Sequence, residues 1–426
     1  MFTRHTLLDG RALTYRCPPG EHMGHPHFGR APFNMGDAFV TEAIGRLLDF
    51  DEVLVFDFQS PPAVFDLINE TCHAVLFIAQ NALRPGLFGR ALGRDLLNRI
   101  RVPMVLLSMG VQSPSGEDPE LTEADVAALR TIHERCASSQ VRGERAAALL
   151  ARHGIHNTEV LGCPSLMWSN RRQLKVRQPS GLGRVGWTIT HNPGAIDDGA
   201  GQGNDHQNRW LSMLADRAET LVPIAQGGEF VLQDHILVRD GLSVFDRVDH
   251  TLKVGPDGIV EEPLTAFGRA GQSPAPLLAR FTRRDPAKTA ASVRWVYRGA
   301  SRPAQAALVE NSFFSHRIAD YMANARSLDL MLGTRLHGNL MALAQGTPTV
   351  FHTHDAREEE LVAAIGAPAT DFWAEPHLEE PSELDFAAFE ARYTELYDGF
   401  RNFFERNGLP HRMVREDGTV GTRTAP

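Results

Sequence analysis

The chain has 426 residues, of which 42% are hydrophobic and 22% charged, and a formal net charge of −9. That is long enough for two or three domains and apolar enough to bury a core. The acidic balance excludes a general nucleic-acid or membrane-surface binder, which would carry a basic face. It leaves room for a small anionic ligand held at a local arginine site.

In chain order, the first half alternates apolar runs with helix-like segments. DEVLVFDF (51–58), HAVLFIAQ (73–80) and VPMVLLSMG (102–110) read as strands. DVAALRTIHERC (125–136) and GERAAALLARHG (143–154) have helical spacing, and Gly154 is a good C-terminal stop. TEVLGCPSLMW (158–168) is a further strand and loop. Such alternation implies βαβ units and a mostly parallel sheet. The polar, glycine-punctuated stretch 170–184 reads as a linker.

RVGWTIT opens the second half as a strand, followed by ETLVPIAQGG and EFVLQDH. Residues 241–303 are rich in Gly, Pro and Arg and give no clear pattern. SLDLMLG (327–333) is a strand, 335–345 a helix, Gly346 its stop, and PTVFHT the next strand. A last long helix carries Phe386, Phe389, Tyr393, Tyr397 and Phe400 on one stripe. The expected fold is α/β, two Rossmann-like domains facing a cleft. The boundaries are 1–175 for an N-terminal domain, 183–380 for a C-terminal domain, and 381–410 for a helix packing on or bridging the two.

Cys17, Cys72, Cys136 and Cys163 form no CxxC pair, lack zinc-site spacing, and are too few for a disulfide framework. A reduced, cytoplasmic setting is the simple expectation. The start, MFTRHTLLDGRALTY, lacks the apolar core of a signal peptide. No run approaches the ~18–20 apolar residues of a membrane span. His22, His25 and His27 cluster without an evident fourth metal ligand, and no metal is expected.

The helix beginning near residue 335 raises a question. Its apolar stripe, Leu336, Leu340, Leu343 and Ala344, faces the core. Arg335, His337 and Asn339 crowd its first turn, where acids are usually favoured. A bound anion over the helix end, with its open N–H groups, resolves the conflict. Arg335 can fork onto phosphate or carboxylate. His337 can donate or accept a proton near neutral pH. The plainer reading is a satisfied surface arginine and a half-buried histidine.

GTRLHGNLMALAQGTPTVF followed by HDAREEELVAAIGAP resembles the polysaccharide pyruvyl transferase family. Arg335, His337, Gly346, Pro348, Asp355, Arg357 and Glu360 fill the places of its C-terminal signature. FNMGDAFVTEAIGRLL matches the family's N-terminal Asn-x-Gly-Asp with Asn34, Gly36 and Asp37. The stretch from Ser138 to Leu166 resembles its middle element, with Arg142 as the arginine. Gly143 and Cys163 stand where the family often carries Asp.

The resemblance implies transfer of a pyruvyl group from phosphoenolpyruvate to a sugar of a surface or exopolysaccharide precursor, forming a ketal. It implies a GT-B-like pair of domains, with the acceptor on the N-terminal side and the donor on the C-terminal side. No cofactor is required beyond the donor substrate. The partners are phosphoenolpyruvate and a sugar or lipid-linked glycan, with no nucleic acid and no membrane span, and a homo-oligomer is compatible. His337 and Arg335 are the expected catalytic pair. Asn34, Gly36, Asp37, Arg142, Asn339, His352, His354, Asp355, Arg357 and Glu360 are expected to bind substrate.

Within that set some roles stay open. Asp37 is a helix cap, a hydroxyl acceptor, or both. His352 and His354 touch sugar or cap the strand before them. Arg142, Arg184 and Arg317 are candidates for a second donor arginine. Cys163 reads as a buried structural thiol, with no partner histidine placed by sequence. Two other readings remain. One is a nucleotide-sugar-dependent glycosyltransferase of the same architecture, and the other a non-catalytic glycan- or anion-binding member.

Overall fold

The computed structural model describes residues 14–15, 35–50, 53–54, 62–91, 94–111, 113, 118–179, 181–190, 202–227, 232, 235–236, 239–240, 250–256, 258–263, 296–315 and 317–419. The first described residues form β1 (Thr14–Tyr15), which pairs antiparallel with β2 (Val53–Leu54). Between them in sequence lies α1 (Met35–Leu47).

The first α/β unit holds α2 (Pro62–Thr71), β3 (Val75–Ile78), α3 (Leu87–Ala91), α4 (Arg94–Arg99), β4 (Met104–Leu107), α5 (Glu123–His133), β5 (Ser139–Val141), α6 (Glu144–Arg152) and β6 (Thr158–Val160). β3 runs parallel to β4, and β5 to β6. A parallel bridge between Met109 and Val141 joins the two pairs edge to edge. β4 is buried along its whole length, as a central parallel strand covered on both faces must be. Thr122 and Asp125 form a reciprocal capping box that starts α5.

The second unit is a five-stranded parallel sheet. Its strands are β7 (Arg184–Thr188), β8 (Thr220–Ile224), β11 (Leu330–Gly333), β12 (Thr349–Thr353) and β13 (Ala369–Asp371), in the order β13-β12-β11-β7-β8. Its helices are α7 (Gln202–Arg217), α8 (Arg302–Glu310), α9 (Ile318–Arg326), α10 (Leu336–Leu343) and α11 (Ala356–Ile365). β9 (His250–Gly255) and β10 (Gly258–Pro263) form a hairpin inside the stretch that gave no sequence pattern. The chain runs from β7 outward to β8, then returns to β11 on the other side. The order reverses between β7 and β11, and such a switch point opens a crevice at the carboxyl ends of the strands. The α/β class expected from the sequence is therefore present, with two parallel-sheet units.

Two features tie the units together. The buried face of α1 shares one core with the second sheet and with the short 3₁₀ turn Pro164–Met167, although α1 precedes the first sheet in the chain. The last helix, α12 (Ala387–Arg406), buries Phe389, Tyr393, Tyr397 and Phe400 in the same core. Its Tyr393 hydroxyl donates to the Arg171 carbonyl (2.9 Å), and its Arg172–Asp398 pair closes at 2.7 Å. At its far end Asn407 accepts from the Ala137 amide of the first unit (3.1 Å). The stretch read as a linker is thus strapped along α12. Among the described residues no helix is long and apolar enough to cross a membrane.

Candidate active site

Strand ends decide where the chemistry sits. Ser108 follows β4, Arg142 follows β5 and Cys163 follows β6. In the second sheet Ile189 follows β7, Gln226 follows β8, Thr334 to His337 follow β11, and His354 follows β12. The carboxyl ends of both sheets turn toward the start of α10. Arg335 is its N-cap residue, and its amide donates to Thr188 Oγ1 (3.0 Å). Its guanidinium reaches the carbonyls of Gly227 and Ile189. Arg335 therefore spans the switch point between β7 and β11.

All eight residues of α10 are buried. The single apolar stripe expected from sequence gives way to a helix enclosed on every side. His337 is 6% exposed, so the off-stripe position does not leave it at the surface. The reason is α1, whose N-terminal end packs against the N-terminal end of α10. A side chain at Gly36 would place its Cβ 2.6 Å from His337 Nδ1 and 2.5 Å from the Gln226 amide. The Met35 amide also donates to the Gln226 carbonyl (3.0 Å). Two helix N-termini, each the positive end of its helix dipole, thus meet beside one histidine.

On its other side His337 meets the first unit. Arg142 Nη2 lies 3.2 Å from His337 Nε2, and Cys163 Sγ lies 3.7 Å from the same nitrogen. Arg142 is 1% exposed. Its remaining contacts are Ser108 Oγ (3.1 Å from Nε), Asn81 Oδ1 (3.0 Å from Nη1) and Cys163 Sγ (3.9 Å from Nη2). Its donors are turned to protein groups, where the sequence reading expected a substrate contact. Burial holds the His337 pKa well below the ordinary value, and Arg142, Arg357 and Arg335 push it the same way. Both influences favour the uncharged ring over the imidazolium.

Asp37 lies in the first turn of α1 and is exposed. Protein nevertheless crowds its flanks, as on a cleft wall. The resulting desolvation raises its pKa, against the lowering pull of Arg142, a hydrogen bond with Gln80, and the charges of Arg335 and Arg357. Arg357, expected among the substrate-binding residues, acts on both Asp37 and His337 through its charge. Its Nη2 pairs with Asp355 Oδ2 (2.9 Å), while its buried Nε has no hydrogen-bond partner among the described residues. Arg184 and Arg317 drop out. Arg184 opens β7 at the amino end of the strand, away from the carboxyl ends, and reaches Asn324, and Arg317 caps α9 beside Asp320.

Several expected substrate contacts have structural occupations instead. Asn339 is 1% exposed and bridges the Gly333 carbonyl (2.7 Å) and Thr188 Oγ1 (3.2 Å). Asp355 caps α11 by accepting from the Glu358 amide (3.0 Å). Glu360 reaches across to the first unit and accepts from the Ala146 amide at the start of α6 (2.7 Å). His354 is buried against Glu358 (2.7 Å). Burial alone would lower its pKa, but Glu358 and Asp355 together raise it. Asn34 and the His22, His25 and His27 cluster lie outside the described residues.

His352 is a core histidine, not a sugar contact. Its ring lies 4.9 Å from Trp187 and 4.3 Å from Trp210, centroid to centroid, and its Nδ1 accepts from the Gly333 amide (3.3 Å). Burial drives its pKa down to about 3 from 6.5. A base with a depressed folded pKa stabilises the fold above its unfolded pKa and loses that stability as pH falls. Between about pH 7.5 and pH 5 the wild type should therefore lose about 2 kcal/mol more than His352→Phe. Urea melts at the two pH values measure it, and parallel losses would mean that His352 titrates normally.

Sequence reading missed Ser108, Asn81 and Gln80 and left Cys163 without a partner. The available signal was position, since each follows a strand of the first sheet. Among the described residues no group of three or more His, Cys, Asp or Glu side chains could hold a metal ion. No family model matches the chain, and no curated protein matches it. Among solved structures it is similar to a crystal structure of an alpha,alpha-trehalose-phosphate synthase (UDP-forming) from Burkholderia vietnamiensis. The identity is 10% and the TM-score 0.34, over 88% of this chain and 82% of that one.

Proposed function

We propose that the chain is a transferase that moves a pyruvyl group from phosphoenolpyruvate to a pair of sugar hydroxyls, forming a ketal. One observation carries the reading. Two helix N-termini, Arg335 and Arg357 converge at the carboxyl ends of the strands, around a buried histidine of lowered pKa and an aspartate of raised pKa. Phosphoenolpyruvate brings a phosphate and a carboxylate to such a site. Arg335 and the start of α10 suit the phosphate, and Arg357 the carboxylate.

Asp37 suits the proton transfers, because its carboxyl holds a proton to higher pH than an ordinary aspartate. It delivers that proton to C3 of the donor, which becomes a methyl group. The attacking hydroxyl bonds to C2, and its proton returns to the carboxylate. The second hydroxyl then displaces phosphate from C2, and the departing phosphate takes the second hydroxyl proton. The arginines offset the charge that gathers on the leaving group.

The test is transfer of label from phosphoenolpyruvate to a panel of lipid-linked and nucleotide-linked sugars, alongside thermal protection. A ligand at about 100 times its Kd stabilises the fold by about 2.7 kcal/mol. Phosphoenolpyruvate should protect, and labelled ketal should form. Arg335→Lys keeps the charge and loses the fork, and should weaken donor binding about tenfold to a hundredfold. Protection by a nucleotide sugar with none by phosphoenolpyruvate would replace this reading with glycosyl transfer. Protection without any product would replace it with a binding protein.

A further inference from the structure

We propose that Arg142 is a positioning residue that holds His337 as a neutral imidazole with its proton on Nδ1, so that His337 meets the donor as a hydrogen-bond donor and not as a proton acceptor. The identity of the donor rests on the pyruvyl-transfer reading. The state of the ring does not.

A guanidinium has only N–H groups to offer. With Arg142 Nη2 3.2 Å from His337 Nε2, that nitrogen must present its lone pair. A neutral imidazole carries one N–H, which then belongs to Nδ1. Protonating the ring would set two N–H donors against each other at that contact. Arg142 has little freedom to turn away. Ser108 and Asn81 hold its Nε and Nη1, and it lies in the interior.

The chain accepts strain to build this holder. Ser108 has a left-handed φ of 61°, a conformation that costs a non-glycine residue energy. Its amide donates to Gln140 Oε1 (2.6 Å), which fixes the bend at the end of β4, while its hydroxyl accepts from Arg142 Nε. Besides His337, the hydrogen-bonding partners of Arg142 are Ser108, Asn81 and Cys163, and the carboxylates of Asp37 and Glu360 act on it only through their charge. Among the described residues no carboxylate makes an ion pair with it. A guanidinium enclosed in this way disfavours a second positive charge on the adjoining ring, and Arg335 and Arg357 act in the same direction.

The other nitrogen faces α1. Nδ1 lies beside Gly36, where any side chain would stand 2.6 Å away. Gly36 immediately precedes Asp37, so the Nδ1 side of the ring lies against the helix start that carries this carboxyl. In this arrangement Asp37 moves the protons. His337 steadies an oxygen on which negative charge gathers, with no proton leaving the ring.

The experiment is ¹⁵N NMR of the labelled, ligand-free protein from about pH 5 to about pH 8. The His337 signals are assigned by their loss in His337→Asn. The expected result is one protonated and one unprotonated nitrogen, with the proton on Nδ1 and no titration across the range. Arg142→Met should let the ring exchange tautomers and titrate nearer its ordinary value. Arg142→Lys, which keeps a cation in place, should do so in part. In turnover, His337→Asn, whose amide nitrogen stands near the Nδ1 position, should retain at least about tenfold more activity than His337→Gln.

An imidazolium or an Nε2–H tautomer in the wild type would overturn the inference. So would Arg142 variants that lower the melting temperature while leaving the ring unchanged, which would make Arg142 purely structural. The ring state is read without substrate. A correct tautomer with no ketal formed on any sugar therefore counts against the proposed reaction alone.

Discussion

His337→Ala should reduce turnover with phosphoenolpyruvate by about 10²–10³, the usual loss when one preorganised donor is removed from a site of developing charge. It should also destabilise the fold by about 1–3 kcal/mol, because Arg142 Nη2 loses its acceptor in the interior. The two losses separate by measurement. Steady-state kcat and donor KM report the first, and a denaturant melt the second. The donor KM should change less than kcat, since Arg335 and Arg357 remain in place to hold the anion. Near-normal turnover in a folded variant would remove His337 from the chemistry. A loss confined to KM would make it a binding residue only.

The α/β class was legible because buried parallel strands are short apolar runs, and VLFI, MVLL and LMLG stand out between helical segments. The helix stops were legible for a similar reason. Gly154 and Gly346 each take a left-handed φ of 75°, and few other residues do so cheaply. The hairpin β9–β10 was not legible, because its strands lie in a stretch whose Gly, Pro and Arg content hides the alternation.

The site was half legible. Arg335, His337, Gly36 and Asp37 are read from local motifs, each at the start of a helix. What each one touches is set by strands far away in sequence. His337 meets Arg142 across 195 residues and Cys163 across 174. No periodicity in one segment reports such a contact. The same distance effect misled the reading of α10, where a helix with one apparent apolar stripe is covered on its polar side by α1. It also misled the reading of His352, which lies near the end of β12 two residues before His354. Two tryptophans from β7 and α7 turn it into core.

Gly143→Ala should destabilise the protein by about 2–4 kcal/mol, and the cause would lie in the seam between the two units. The backbone at Gly143 is extended, with φ of −163°, so alanine is conformationally acceptable there. The cost is steric. An added Cβ would fall 1.9 Å from Glu360 Cγ and 2.8 Å from its Cδ. Glu360 comes from α11 of the second unit and fills the cap position of α6, where no side chain of the first unit serves. Pushing it away overpacks the seam, at about 1–3 kcal/mol, and uncaps α6, at about 1 kcal/mol. Arg142 directly precedes Gly143, so turnover should fall along with stability as the start of α6 shifts.

A double-mutant cycle decides the cause. Glu360→Ala removes the side chain that the new methyl would strike. The double variant should then be more stable than the sum of the single losses by at least about 1 kcal/mol. Strict additivity would mean that the glycine is needed for a reason other than Glu360, and the seam contact would not be what excludes a side chain there.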